Sequence, residues 1–264
     1  MKIATWNINS VRLRQGIVQR FLGEDAPDVL CLQEIKTVQD AFPAAALAEA
    51  GYAHQAVLGQ RGYNGVAIVA RLPFAKTWSA EICERGHARH IAASFANGVE
   101  VHNLYVPAGG DIPDPALNEK FAHKLAFLRE MERYFGGLPD KSSALRVLVG
   151  DLNIAPFEND VWSHKQLLDV VSHTPVEVEA LARVKASHDF VDSTRAIVPE
   201  SEKIYSWWSY RARDWALSDR GRRLDHIWLS PALKDTLACH TIRKEIRGWT
   251  QPSDHVPVIA TLSL

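Results

Sequence analysis

Arg146-Val147-Leu148-Val149-Gly150-Asp151-Leu152-Asn153 is a short apolar run that ends abruptly in polar residues. Its β-branched content predicts a strand over Arg146–Val149, and the glycine with the following Asp and Asn marks its end. The pattern recurs on either side. Lys2–Ile8 runs into Asn9, and Asp28–Leu32 runs into Gln33 and Glu34. Further strands are predicted at Gly65–Ala70, Ile91–Phe95, Val99–Val106, Leu224–Leu229 and Val256–Leu262.

Helical periods lie between these runs. Leu117, Phe121, Leu125, Leu128, Met131 and Phe135 recur at steps of three or four, which is one buried stripe on a long helix. A second helix is expected after Ser10 as N-cap, with Leu13, Ile17 and Phe21 inward, a third from Leu167 to Val171, and a fourth from Pro175 to Val184. Ala44–Ala50 reads as a short helix. Gly109–Ala116, Gly136–Leu145 and Asp189–Arg223 are the least regular stretches. Strands with inserted helices, and neither repeats nor a low-complexity linker, predict a single α/β (α+β) domain over residues 1–264.

Composition narrows the class. The chain has 264 residues, 47% hydrophobic and 23% charged, which excludes collagen, coiled coil and a disordered chain. With 30 basic against 31 acidic side chains, no global field draws the protein to a polyanion, so any nucleic-acid binding must come from a local patch. Cys31, Cys83 and Cys239 are far apart in sequence, with no CxxC pair or Cys/His zinc spacing, so a reducing compartment is expected. The N-terminus enters a strand at once and no apolar run is long enough to span a bilayer, which predicts a cytoplasmic protein without a membrane partner.

The polar residues at strand ends are the candidate chemistry. Asn7, Asn9, Glu34, Asp151 and Asn153 are oxygen donors at the edges of predicted strands, where ligand sites gather in open sheets. Such donors suit a hard cation, Mg²⁺ or Mn²⁺, better than zinc. Taken singly, an Asn or Asp after a strand more often simply makes a turn. Pro252-Ser253-Asp254-His255 introduces the last strand, and Asp225 stands in an apolar run where a charge needs a partner. His255 is the candidate partner. The remaining histidines, His87 and His123 among them, are read as surface or satisfied core groups.

Together, Trp6-Asn7-Ile8-Asn9-Ser10-Val11-Arg12, Leu30-Cys31-Leu32-Gln33-Glu34-Ile35-Lys36, Leu104-Tyr105-Val106-Pro107, the Gly150–Asn153 turn, Arg222-Arg223-Leu224-Asp225-His226 and Ser253-Asp254-His255 resemble, in order and spacing, the exonuclease III family of abasic-site DNA repair endonucleases. The resemblance covers nearly the whole chain. It implies a four-layered α/β sandwich: two mostly antiparallel sheets face to face, helices outside, and the active site at one end. It implies Glu34 as the principal metal carboxylate, Asn7 as ligand or orienting amide, and Asp254 as a further ligand or a group behind one. Asp151 corresponds to the residue that activates water or protonates the leaving oxygen. Asn153 would hold Asp151 and the phosphate, His255 oriented by Asp225 would bind a phosphate oxygen, and Tyr105 would supply a phenol beside it. Asp151, Asn153 and His255 are also counted with the metal site. Asn9 stands where some relatives carry Asp.

Ile204–Tyr210, with Trp207, followed by Arg211, Arg213, Arg220, Arg222 and Arg223, interleaves aromatic and basic side chains, as a surface tracking a sugar-phosphate strand would. By the resemblance, Trp207 and Leu224 line a pocket for a flipped-out abasic sugar, and Asn9 with the arginines contacts DNA. Two departures stand out: Arg222 replaces a tryptophan of eukaryotic relatives, and Ala108 replaces an asparagine common after the Val-Pro. The expected activity is metal-dependent cleavage of duplex DNA 5′ to abasic sites with trimming of damaged 3′ ends, by a monomer. The alternative is a phosphoesterase of the same superfamily acting on small phosphoesters or lipids.

Overall fold

The computed structural model describes all residues from 1 to 264. The chain begins β1 (Lys2–Asn7), α1 (Gln15–Asp25), β2 (Val29–Gln33), α2 (Ala44–Glu49), β3 (His54–Leu58) and β4 (Val66–Ala70). It continues β5 (Phe74–Trp78), β6 (His90–Phe95), β7 (Glu100–Tyr105), α3 (Glu119–Gly137) and β8 (Arg146–Asp151). Shorter pieces follow: α4 (His164–Leu167), α5 (Pro175–Ser187), β9 (Val191–Asp192), α6 (Ser193–Ile197), β10 (Trp207–Trp208), α7 (Trp215–Ser218) and β11 (Gly221–Arg222). β12 (Asp225–Leu229), β13 (Leu237–Ile242) and β14 (Val258–Leu262) close it.

Two six-stranded sheets result, ordered β13-β14-β1-β2-β4-β3 and β5-β6-β7-β8-β12-β9. Residues alternate across each sheet. Ile3, Val29, Cys31, Val66 and Ile68 of the first sheet meet Ile91, Val101, Val147, Val149 and Ile227 of the second in one core between them. Their neighbours Ala4, Trp6, Leu30, Leu32 and Val69 face outward under α1 and α2, and Leu104, Leu148 and Trp228 lie under α3 and α5. The four layers follow from this double covering, which also explains why the central strands read as nearly continuous apolar runs.

Each sheet contains one parallel pair, β1 with β2 and β7 with β8, and every other pairing of the two sheets is antiparallel. A parallel pair brings two C-terminal strand ends to one edge. Asn7 therefore lies beside Gln33, and Tyr105 beside Asp151. β8 is longer than expected and runs to Asp151, where antiparallel β12 pairs Asp225 with it. Gly150, at φ 143°, lets β8 lie this close to β7, because a Cβ there would lie 1.9 Å from the Leu104 carbonyl oxygen.

Some local expectations change. α1 starts after Arg14, not Ser10, and Leu13 is exposed. The reason is that Ser10 (φ 87°) donates its N–H to the Glu34 carbonyl at 2.7 Å, binding this stretch to the end of β2 before the helix can begin. Leu117 lies outside α3, which is capped by Asn118 accepting from the Lys120 N–H. The third helix is shorter and earlier than expected, ending at Leu167. Asp189–Arg223 is not one loop, since it folds into β9, α6, β10, α7 and β11.

Candidate active site

The strand ends converge on one side chain of the first strand. Asn7 is fully buried, and its amide nitrogen donates both to Glu34 Oε1 at 2.9 Å and to Asp151 Oδ2 at 2.8 Å. One amide thus bridges a carboxylate of the first sheet to a carboxylate of the second. Glu34 sits just past β2 at φ 48°, a conformation costly for a residue with a Cβ. The Ser10 N–H to its carbonyl holds it there. Burial would raise the Glu34 carboxyl, but Lys36 at 2.8 Å and the hydrogen bonds from Asn7 and Tyr105 outweigh it and keep it ionised.

Asp151 is the opposite case. Burial, together with the charges of Asp225 and Glu34, pushes it up to about 7, against the pull of His255 and the Asn7 hydrogen bond. Asn153 holds it through its backbone N–H to Oδ1 at 2.9 Å and its amide to Oδ2 at 3.1 Å. The same amide donates to the Val106 carbonyl, so both of its hydrogens are spent on positioning.

His255 and Asp225 form the pair expected from the sequence, with Nδ1 donating to Oδ2 at 2.8 Å. Ser206 donates to the same oxygen at 2.7 Å. Burial alone would lower the imidazole, yet Asp225 and Asp151 together hold it up to about 10. It is therefore a cation near neutral pH, with Nε2 3.7 Å from Asp151 Oδ2. Tyr105 stays neutral, its phenol pushed far up by burial and by Glu34 and Asp151. Arg89 lies over its ring at 4.7 Å and donates to its carbonyl oxygen.

These groups open on a cavity of about 250 Å³ whose lining includes Glu34, Tyr105, Asp151, Asn153, Trp207, Arg222, Leu224, Asp254 and His255. Asp254 faces it directly, its oxygens accepting from the Asn9 amide (3.1 Å) and the Trp207 indole (3.0 Å), while Asn9 itself lies outside the cavity lining. The wall formed by Trp207 and Arg222 is set by the β10–β11 pairing, which puts these residues opposite each other with the guanidinium 5.4 Å over the ring. Arg222 also donates to the Val171 carbonyl and the Ser172 hydroxyl. A wider groove of about 620 Å³ continues past this wall, with Trp162, Arg211 and Arg220 on its sides.

Arg223 is a correction. It is buried and ion-paired to Asp160 at 2.7 Å and to Asp192 at 2.9 Å, because the link between β11 and β12 is tied to Asp160 by the Arg223 N–H donating to the Asp160 carbonyl. It cannot contact DNA and braces the loop instead. Arg213 is exposed but lies outside the groove lining. Lys36, Ser206 and Arg89 were not singled out in the sequence. Lys36 had a visible signal, two residues after Glu34 in the same run, whereas nothing local distinguishes Ser206 from a solvated serine.

Asp151, Asp225 and His255 each place a ligand atom within 4.8 Å of the others, a spacing that could hold a metal ion. While His255 carries its second proton it has no lone pair to offer, so Glu34 and Asp151 are the better hard-cation pair. The donor set fits such an ion. Buried Asp151 and partly buried Glu34 share one amide, and their mutual repulsion contributes to the raised Asp151, a cost that a bound cation would relieve.

The whole chain is similar to known proteins. The exodeoxyribonuclease III of Haemophilus influenzae is 30% identical, over 98% of this chain and 99% of its own. An AP endonuclease from Archaeoglobus fulgidus superposes with a TM-score of 0.93 at 34% identity, over the whole of both chains. The 3′ phosphatase NExo from Neisseria, solved with a product DNA hairpin, gives 0.87 at 33% identity, again over both whole chains. Residues 4–255 match the Endonuclease/Exonuclease/phosphatase family, and the chain belongs to that family.

Proposed function

We propose that the protein is a Mg²⁺- or Mn²⁺-dependent DNA repair nuclease that hydrolyses phosphodiesters 5′ to abasic sites and trims damaged 3′ ends of duplex DNA. The observation that carries this reading is the continuity of the carboxylate–histidine cavity with a groove walled by Trp207, Arg211, Arg220 and Arg222. A small phosphoester would need the cavity alone. The activities of the similar proteins named above also favour DNA over small phosphoesters or lipids. The reading includes one domain over residues 1–264, a monomer, and a cytoplasmic location; no helix is long and apolar enough to cross a membrane.

The residues divide the work. Glu34 and Asp151 would hold the cation, which would supply positive charge against that growing on the phosphoryl oxygens. His255 offers Nε2–H to a non-bridging oxygen, with Asp225 fixing the ring and stabilising its charge. Asp151, buried and held by Asn7 and Asn153, is placed for proton transfer from water or to the leaving oxygen. Asn7 and Asn153 position it. Trp207 and Leu224 receive the sugar, and Arg211 with Arg222 the flanking phosphates.

The test uses end-labelled duplexes, one with a single tetrahydrofuran abasic analogue and one intact with a recessed 3′ end. Metal-dependent incision at the analogue, abolished by EDTA and absent in Asp151→Asn with DNA binding retained, is expected. Turnover of Asp151→Asn near the wild-type rate would overturn the mechanism. Faster turnover of a small phosphoester than of either duplex would overturn the substrate.

A further inference from the structure

Along the chain Cys83, His87 and His123 make no metal-ligand spacing, because His123 lies forty residues from Cys83. The fold brings them together. Their ligand atoms all lie within 4.8 Å of one another, with Cys83 Sγ 3.3 Å from His123 Nε2 and the two imidazoles edge to face at 5.5 Å. We propose that these three side chains form a binding site for a thiophilic divalent cation of the zinc type, separate from the carboxylate site.

Several features make this a built site. Cys83 and His87 flank a tight turn, closed by the Gly86 N–H to the Cys83 carbonyl at 2.9 Å, with Gly86 at φ 63°. The turn folds His87 back beside the thiol. His123 comes from the first half of α3, and Arg85 within the turn pairs with Glu119 at the start of the same helix at 2.5 Å. His87 Nδ1 is buried without a hydrogen-bond partner, a lone pair or proton that the protein itself does not satisfy.

The chemistry fits. A tetrahedral ion with one sulfur and two nitrogen ligands at ordinary bond lengths separates S from N by about 3.5 Å, close to the observed 3.3 Å. Ligation takes the imidazoles in their neutral form, and the buried, unpartnered His87 Nδ1 and the His123 Nε2 beside Sγ are free of any carboxylate. The neighbouring Arg85 and Arg89 disfavour a bare cation. Thiolate ligation offsets this: Sγ loses its proton to solvent as the metal–sulfur bond forms, and nothing is oxidised or reduced. Three protein ligands leave a fourth position for water, and Cys83 and His87 also line a cleft of about 300 Å³.

The site would act as a clamp. It ties the segment that carries Arg89, which holds Tyr105, to α3, where Lys124 next to His123 donates to the Asn153 carbonyl. Two sides of the catalytic cavity would then be drawn together by one ion.

The experiment is zinc binding by the full chain in excess Mg²⁺, with alkylation of each cysteine followed by mass spectrometry. One equivalent of zinc should survive gel filtration. Zinc should slow alkylation of Cys83 while leaving exposed Cys239 unchanged. Cys83→Ser and His123→Gln should each weaken binding at least about tenfold, as loss of even an outer partner of a metal ligand can; Glu34→Gln should retain it. A Cys83 alkylation rate indifferent to zinc in the wild type, which needs no variant to fold, would overturn the proposal. So would equal zinc content in wild type and Cys83→Ser.

Discussion

Replacing Asp151 with asparagine is expected to stabilise the protein as pH rises, although it removes a catalytic group. A carboxyl held at about 7 in the fold instead of its ordinary 3.8 favours folding only while it keeps its proton. That contribution is complete below 3.8 and lost as pH passes through about 7. The wild type at pH 8 therefore carries an ionised carboxylate at a cost on the order of 4 kcal/mol, and the variant does not. Asparagine brings a fixed penalty, because every group on the two Asp151 oxygens here is a donor, the Asn7 and Asn153 amides on Oδ2 and the Asn153 N–H on Oδ1, so its NH₂ must face one of them. This is roughly 1–3 kcal/mol, the same at every pH, so it drops out of the pH dependence. Asp225 remains beside His255 and keeps it charged in both proteins. Urea unfolding of both forms in EDTA, between about pH 4 and about pH 8, should show the difference in unfolding free energy swing toward the variant by on the order of 4 kcal/mol. A difference that stays flat across that range would refute the account of Asp151 as a buried, charge-crowded carboxyl.

Other outcomes follow from the same structure. Asp225→Asn removes the leading attraction that holds the His255 imidazole up to about 10; the alkaline limb of the pH–rate profile should move toward neutral, and the imidazole resonance in NMR should titrate with it. Because that raised imidazole stabilises the fold fully below 6.5 and loses its effect as pH rises toward 10, the wild type should also lose more stability than the variant over that window. Lys124→Met leaves Glu177 as an unpaired charge in a fully buried pair and should cost about 3–5 kcal/mol in urea unfolding. Gly150→Ala would place a methyl 1.9 Å from the Leu104 carbonyl and should cost about 4 kcal/mol or more, seen as loss of soluble protein or a collapsed melting temperature.

Much of this was legible from local sequence, for a physical reason. Central strands are covered on both faces, so Val66–Ala70 and Arg146–Val149 stand out as apolar runs. The edge strands β3, β5 and β13 are half exposed, so their sequences carry polar residues and escaped notice. The site residues at strand ends were readable because a charge or amide after an apolar run is conspicuous. Arg223 looks solvated in the sequence because it stands among basic neighbours, and only the folded link between β11 and β12 shows its pairing with Asp160 and Asp192. Cys83, His87 and His123 come from two segments joined only by the fold, which no spacing rule along the chain could anticipate.

The Asn7 amide has a consequence for heat. It spans the two sheets through hydrogen bonds of 2.9 and 2.8 Å, and such bonds weaken beyond about 3.2 Å, so it works as a gauge of how one sheet lies on the other. A slip of a few tenths of an ångström, too small to open the core, is enough to part Glu34 from Asp151. Turnover should therefore fail on warming before the circular dichroism does, and core substitutions far from the cavity, such as Val29→Ala or Val147→Ala, should widen that gap.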